Sequence, residues 1–221
     1  MSEQQPEKFQ IGWFKLAEFV ARKERERAFG IYRLLVHSLE DDAFITQLEG
    51  DLLRAFNDDK ASVVYQKAAQ LYEARGDLIQ AAALYEHCHT MHQKNSFYLK
   101  ELVRIYTTLK LRRVMRYLDQ LIGLLLMSDA HEEAIMVLED ASVEDVAKAV
   151  LYENVVIDFL SKYTFSEKIL HKPLAYLQQL YMSQTDERLS ILIAKLAALS
   201  TEAHAYMCGI LKKDDTAPDA L

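Results

Sequence analysis

The stretch "LYEARGDLIQAAALYE", residues 71–86, decides the fold because it repeats a Leu-Tyr-Glu triplet on both sides of Gly76 and Asp77. Gly76 suits the left-handed residue that ends a helix, and Asp77 with Gln80 predicts a capping box that begins the next one. Apolar residues recur at three- and four-residue steps on each side of this turn. They are Tyr65, Ala68, Ala69 and Tyr72 before the turn, and Leu78, Ala81, Ala82, Tyr85 and Cys88 after it. The stretch therefore predicts a helix, a turn and a second helix.

So short a turn requires the two helices to lie close together. The small side chain of Ala81 would let their backbones approach, and Tyr72 and Tyr85 would fill the space on either side. We therefore expect Ala81→Leu to force the helices apart and to lower the free energy of unfolding by about 1 to 3 kcal/mol.

This hairpin resembles the tetratricopeptide repeat, a pair of helices about 34 residues long. When the repeat begins at Ser62, its small and aromatic positions fall on Ala69, Tyr72, Gly76, Ala81, Tyr85 and Cys88. A second unit from Ser96 matches only in its first helix, since Met115 and Asp119 stand where a small residue and an aromatic residue are expected. The spacing from Ala81 to Ala134 is not a multiple of the repeat length, so the repeat register breaks once. The resemblance implies an all-α fold, an irregular α-α superhelix of stacked antiparallel helix hairpins.

Helix-breaking residues are scarce, with three prolines and six glycines in 221 residues. Strand-and-turn folds need more glycine and proline at their turns. We therefore expect a single helical-repeat domain over residues 1–221. Its predicted parts are N-terminal helices in 7–58, the best hairpin in 62–95, degenerate repeats in 96–162, C-terminal helices in 173–212 and a mobile tail in 213–221.

Turn and cap signals divide these parts further. Asp41 and Asp42 predict the turn of a hairpin over 24–56, and Asp129 with Glu132 predicts another helix cap. The segment "SKYTFSEKILHKP" predicts a loop, after which Pro173 would lie in the first turn of a helix. The β-branched run at 155–157 could instead form a short strand, so a strand stays an alternative to helix there.

Charge and composition restrict the classes of partner. The chain has 26 Lys and Arg against 33 Asp and Glu, a net charge of -7, which argues against nucleic acid because such affinity comes largely from neutralising phosphates. Its start, "MSEQQPEKFQ", lacks the pattern of a secretory signal. The apolar run "LIGLLLM" at 121–127 is far shorter than the roughly 20 residues that span a bilayer. We expect no nucleic-acid or membrane partner.

The two cysteines, Cys88 and Cys208, imply no disulfide framework and favour a reducing compartment. We therefore expect a cytoplasmic protein. An apolar stripe around Trp13 and Phe14 on the first helix would either cap the array or pair with a second copy, so a homodimer stays open.

Stacked hairpins bury their apolar stripes against their neighbours and leave one surface for a peptide or helix of another protein. The resemblance implies that the first helix of each hairpin lines this surface. The candidate partner-binding residues are then Gln66, Gln70, Lys100 and Arg104. Lys100 and Arg104 lie one helical turn apart and could grip a carboxylate. We expect their reversal to Glu to leave stability nearly unchanged and to weaken an acidic partner.

Two related ideas concern anions. Members of the family that clamp a chaperone's terminal carboxylate use Lys, Asn and Arg on successive first helices, and Gln66 and Gln70 depart from that set, so we expect no such clamp. A second basic cluster could extend an anion-attracting surface, although charge runs are mostly solvated. It consists of Lys110, Arg112, Arg113 and Arg116.

The segment "HCHTMH" places His87, His89 and His92 near Cys88, a spacing that could hold zinc or copper on one helix face. Cys88 occupies a buried repeat position, however, and no second ligand cluster is evident. We assign no metal ligand and no cofactor, and surface histidines near a helix end are the ordinary alternative.

The sequence also lacks the motifs of common active sites, namely a Gly-rich phosphate loop, a nucleophile elbow and a zinc-protease helix. We expect a non-catalytic protein-protein interaction scaffold or adaptor. Two alternatives stay open: a chaperone for a secreted or assembling subunit, and a metal-binding or catalytic helical domain.

Overall fold

The computed structural model describes the backbone of residues 4–183 and 187–214 and the side chains of residues 10–182 and 187–210. The chain is 81% helix, with no strand among the described residues, so the predicted all-α class is confirmed. Its helices pack in sequence against their neighbours. Contacts divide the chain into two compact units, residues 1–105 and 106–221. This division does not test the expectation of a single domain, which stays a prediction.

Among the residues that the structure describes, six helices begin in the first unit, and the last of them continues past its boundary. Neighbouring helices pack as hairpins, α1 on α2, α3 on α4 and α4 on α5. Their bounds are α1 (Gln4–Ala21), α2 (Arg25–Val36), α3 (Asp42–Ala55), α4 (Ala61–Ala74), α5 (Leu78–Met91) and α6 (Ser96–Thr108). A small apolar core of Leu16, Ala28, Leu35 and Leu52 joins α1, α2 and α3.

The α4–α5 hairpin has the close packing that its sequence predicts. Ala69 and Ala81 are completely buried, and the rings of Tyr72 and Tyr85 are buried beside them. Gly76 forms the turn with φ at +86°, in the left-handed region. Small residues in the middle of both helices therefore let the two backbones approach, as the spacing of alanines indicates.

Five helices end in the same kind of turn, in which two amides bond back to carbonyls of the last helical turn. After α4, the amide of Gly76 donates to Glu73 O and that of Asp77 donates to Tyr72 O, both at 2.9 Å. The equivalent left-handed residues after α1, α3, α6 and α7 are Lys23, Asn57, Lys110 and Asp129. The chain thus reverses direction repeatedly with only one of these positions taken by glycine.

Two of the predicted caps are wrong. Asp41 does cap α3, since its carboxylate accepts from the amide of Phe44 at 3.0 Å. Asp77, by contrast, makes no side-chain cap, because its carboxylate accepts a hydrogen bond from Arg75 instead. Asp129 belongs to the turn after α7, and Ala130 is the residue that precedes α8.

The described residues of the second unit continue the same pattern with six helices. They are α7 (Val114–Met127), α8 (His131–Asp140), α9 (Asp145–Lys162), α10 (Glu167–Ser183), α11 (Arg188–Leu199) and α12 (Thr201–Asp214). Consecutive helices pack together, and α9 also contacts α7 and α11, so it lies at the centre of the unit. Val155 and Val156 are completely buried within α9, so the strand alternative is wrong.

The predicted start of α10 is also wrong. Pro173 lies inside the helix rather than in its first turn, since α10 begins at Glu167 within the predicted loop. Leu170 and Leu174 are both completely buried, so the apolar stripe begins before the proline. Burial of these side chains favours helix there despite the missing amide donor of Pro173.

At the chain's end, α12 extends to Asp214, and the rest of the predicted tail, residues 215–221, lies outside the described part of the structure. No described helix combines the length and the apolar character that crossing a membrane requires.

Candidate binding surface

The four predicted partner-binding residues lie on two helices of the first unit. Gln66 and Gln70 are one turn apart on α4, and Lys100 and Arg104 are one turn apart on α6. Gln70 and Arg104 are exposed, whereas Gln66 and Lys100 are half-buried. We call the surface that carries these four residues the α4–α6 face.

Glu73 connects the helices beneath this face. One of its carboxylate oxygens accepts from the hydroxyl of Tyr85 on α5 at 2.9 Å, and the other accepts from the guanidinium of Arg104 on α6. Arg104 also donates through Nε to Glu101 at 2.8 Å. Glu73 on α4 therefore contacts both α5 and α6.

These contacts change the electrostatics that the sequence suggests. Burial alone would lower the pKa of Arg104, but its hydrogen bonds to Glu73 and Glu101 outweigh this effect and raise the pKa. Two carboxylates already compensate the guanidinium, so it offers less net attraction to an acidic ligand. Reversing Arg104 to Glu would bring three carboxylates together, and we no longer expect that change to leave stability intact.

The histidines of the "HCHTMH" segment face different surroundings. His87 stacks on Tyr65, and its Nδ1 accepts from Arg54 at 3.0 Å. The buried Nδ1 of His89 has no hydrogen-bond partner in the described part of the chain, and His92 lies near the ring of Tyr98. In the described chain, these histidines form no group of three ligand atoms close enough to share an ion.

Cys88, between these histidines, is completely buried and donates to Ser62 O. Burial raises the pKa of its thiol to about 12. The thiol is therefore protonated at neutral pH, whereas metal coordination and nucleophilic attack need the thiolate.

A cluster that sequence reasoning missed lies in the second unit. The ligand atoms of Asp129, His131 and Asp158 lie within 4.8 Å of one another, the spacing of a metal site. However, the ammonium of Lys162 lies 3.0 Å from both Asp129 Oδ1 and Asp158 Oδ2 and donates to Leu126 O at 3.1 Å. A protein cation thus already pairs with both carboxylates and lies where a metal ion would need to bind them.

His131 completes this cluster. It is 4% exposed, its Nε2 lies 2.8 Å from Asp158 Oδ2, and its Nδ1 lies 3.2 Å from the carbonyl oxygen of Asp129. Burial alone would raise the pKa of Asp158, but hydrogen bonds from Lys162 and His131 lower it. No local motif signals the pairing, because α8 and α9 supply His131 and Asp158 from positions far apart in sequence.

The two aromatic residues of the predicted apolar stripe on α1 have different surroundings. Phe14 is 75% exposed, whereas Trp13 turns toward Phe44, with ring centroids 6.1 Å apart. The apolar stripe on α1 is therefore narrower than the sequence suggests, and the homodimer stays a prediction.

The basic cluster from Lys110 to Arg116 lies around the turn between α6 and α7 in the second unit.

No known family model matches this sequence, and no curated protein matches it. The resemblance of the α4–α5 hairpin to a tetratricopeptide repeat therefore rests on its own residues.

Proposed function

We propose that this protein is a non-catalytic adaptor of the tetratricopeptide-like helical-repeat type, which binds a peptide or helix of a partner protein on the α4–α6 face. The contact of Arg104 with Glu73 carries the proposal. It joins α4 to α6, which would be the first helices of consecutive repeats, as stacked repeats require if their first helices are to line one binding surface.

The side chains on this face suit the polar backbone of an extended peptide. The amides of Gln66 and Gln70 offer both donors and acceptors, and Lys100 adds a positive charge beside Arg104. Since Glu73 and Glu101 compensate Arg104, the face favours a neutral or mixed-charge segment over a strongly acidic one.

The test is affinity capture with identification of the bound proteins by mass spectrometry, followed by binding of the purified partner. Gln66→Ala combined with Gln70→Ala should weaken the partner by about tenfold or more, because desolvated amides of the partner would lose their hydrogen bonds. Gln80→Ala combined with Gln93→Ala is the matched control, since both glutamines are exposed and lie off the α4–α6 face.

Equal losses in the two double variants, or none in either, would contradict this assignment of the face. The character of the partner also separates two functions. A stable folded partner supports an adaptor, whereas an unstable secreted client would support the chaperone alternative.

A further inference from the structure

A cleft in the second unit includes part of the basic cluster and lies apart from the α4–α6 face. It encloses about 740 Å³ between the turn that joins α6 to α7 and the turn that joins α8 to α9. Thr107 at the end of α6 lines it with Lys110 and Arg112 of the first turn, and the second turn contributes Ser142 and Glu144. The cleft is large enough for several side chains of a bound peptide.

The first distinctive feature is unpaired positive charge. Lys110 and Arg112 line the cleft and are exposed, and Arg113 follows directly. Among the described residues, no carboxylate pairs with any of these three side chains. Arginines elsewhere in the chain commonly do have such partners; Arg22, Arg25, Arg27, Arg75 and Arg104 each pair with a carboxylate. Positive charge therefore collects at this turn in a chain whose net charge is -7.

The second feature is a helix start beside an unused hydroxyl. The helix α7 begins at Val114 without a side-chain cap. Its first amides already donate to carbonyls of the preceding turn, so it is the helix dipole that favours a negative group there. The hydroxyl oxygen of Thr107 is buried and has no hydrogen-bond partner in the described part of the chain, although Thr107 lines the cleft. A buried hydroxyl without a partner is rare in folded proteins, and a ligand oxygen would satisfy it.

The third feature is apolar lining beside these donors. Leu111, Met115 and Val143 contribute to the cleft, and Leu111 is 41% exposed. A small inorganic anion would leave these side chains unused, and a nucleic acid would meet the repulsion of a net negative protein. Glu144, on the opposite side, would direct carboxylates toward the α6–α7 turn.

We propose that this cleft is a second protein-binding site, which takes an acidic peptide segment with apolar side chains between its carboxylates. Lys110 and Arg112 attract the carboxylates together with the dipole of α7, Thr107 supplies a hydroxyl donor, and Leu111 with Met115 receives an apolar side chain. The site goes beyond the α4–α6 face, because it uses none of the four residues of that face and selects a different charge.

Fluorescence anisotropy tests the proposal with a labelled peptide in which aspartates and glutamates surround two leucines. Lys110→Glu combined with Arg112→Glu should weaken this peptide by at least about tenfold. Lys15→Glu combined with Arg33→Glu makes the same change in net charge at exposed positions on α1 and α2, and should change the affinity by less than about twofold.

Four further measurements make the test more specific. Thr107→Val should weaken the peptide without lowering the urea midpoint, because it removes a hydroxyl that has no partner within the fold. A peptide with Asn and Gln in place of its acids, and one with serines in place of its leucines, should each bind more weakly. The Gln66→Ala and Gln70→Ala double variant should bind the acidic peptide with full affinity. That outcome would show that the cleft binds the peptide independently of the α4–α6 face.

Several outcomes would overturn the proposal. These are no binding to the unaltered protein, equal weakening in the two charge-reversal variants, or undiminished affinity for the serine peptide. Full displacement of the peptide by inorganic phosphate would also overturn it and assign the cleft to a simple anion. Stronger competition from a single-stranded oligonucleotide would assign it to nucleic acid.

Discussion

At Gly76 the backbone has φ at +86°, and an added Cβ would meet no atom within 4 Å, so only the conformation excludes a side chain. We predict that Gly76→Ala lowers the free energy of unfolding by about 1 kcal/mol, the cost of a left-handed residue with a Cβ. Urea unfolding followed by circular dichroism measures this change.

Gly123→Ala is a control for which we expect the opposite change in the free energy of unfolding. It lies inside α7, is exposed, and also has no atom within 4 Å of an added Cβ. Gly123→Ala should therefore raise the free energy of unfolding by about 0.5 to 1 kcal/mol through helix propensity. If both changes have the same sign, backbone conformation does not account for the effect at Gly76.

Asp158 gives a prediction about pH. Because its pKa is lower in the folded chain than in the unfolded chain, its contribution to stability is complete above the unfolded pKa of about 4 and is lost as the pH falls through the folded value. We predict that Asp158→Asn costs about 1 to 2 kcal/mol at pH 6 and much less at pH 3.

Urea unfolding of both proteins across this pH range provides the measurement. Asp119→Asn, at an exposed position of α7, is the control and should show a small difference at every pH. A cost for Asp158→Asn that stays constant from pH 6 to pH 3 would show that the carboxylate charge is not responsible.

Among the helices, the α4–α5 hairpin depends on small side chains at its contact. Ala81 is completely buried, whereas Ala83 on the same helix is exposed. We predict that Ala81→Leu lowers the free energy of unfolding by about 1 to 3 kcal/mol by overpacking, and that Ala83→Leu changes it by less than about 0.5 kcal/mol. Equal urea midpoints for the two variants would contradict the assigned packing.

Tyrosine hydroxyls form a second kind of link between neighbouring helices. Tyr65 on α4 donates to Asp51 on α3, Tyr85 on α5 donates to Glu73 on α4, and Tyr181 on α10 donates to Glu153 on α9. Each ring is buried while its hydroxyl reaches a carboxylate near the surface, so one side chain supplies both apolar packing and helix register.

For the whole molecule, the single tryptophan offers a probe of cooperativity. Trp13 lies in the first unit, whereas circular dichroism reports the helices of both units. Since α6 continues from residue 105 into the second unit, unfolding of either unit would disrupt this helix. We predict that tryptophan fluorescence and circular dichroism give coincident urea transitions. Separate midpoints would show that the two units unfold independently.

Much of the fold could be predicted because helical periodicity is a local property. The stripe of small and aromatic residues around Gly76 specifies two helices and their mutual face, and the structure confirms the buried positions of Ala69, Ala81 and Tyr85. The start of α10 and the role of Asp77 could not be predicted, because each depends on a competing interaction. Burial of Leu170 extends the helix past Pro173, and Arg75 binds the carboxylate that would otherwise form a cap.

The candidate sites, like the fold, could be predicted only in part. The sequence by itself determined which residues are polar on one face of α4 and α6, and that four basic residues collect from Lys110 to Arg116. Only the tertiary structure decided that Glu73 and Glu101 compensate Arg104, that Lys162 pairs with Asp129 and Asp158, and that Lys110 and Arg112 stay without carboxylate partners among the described residues. The physical reason is that charge compensation acts through space over a few ångströms and joins helices whose residues lie far apart along the chain.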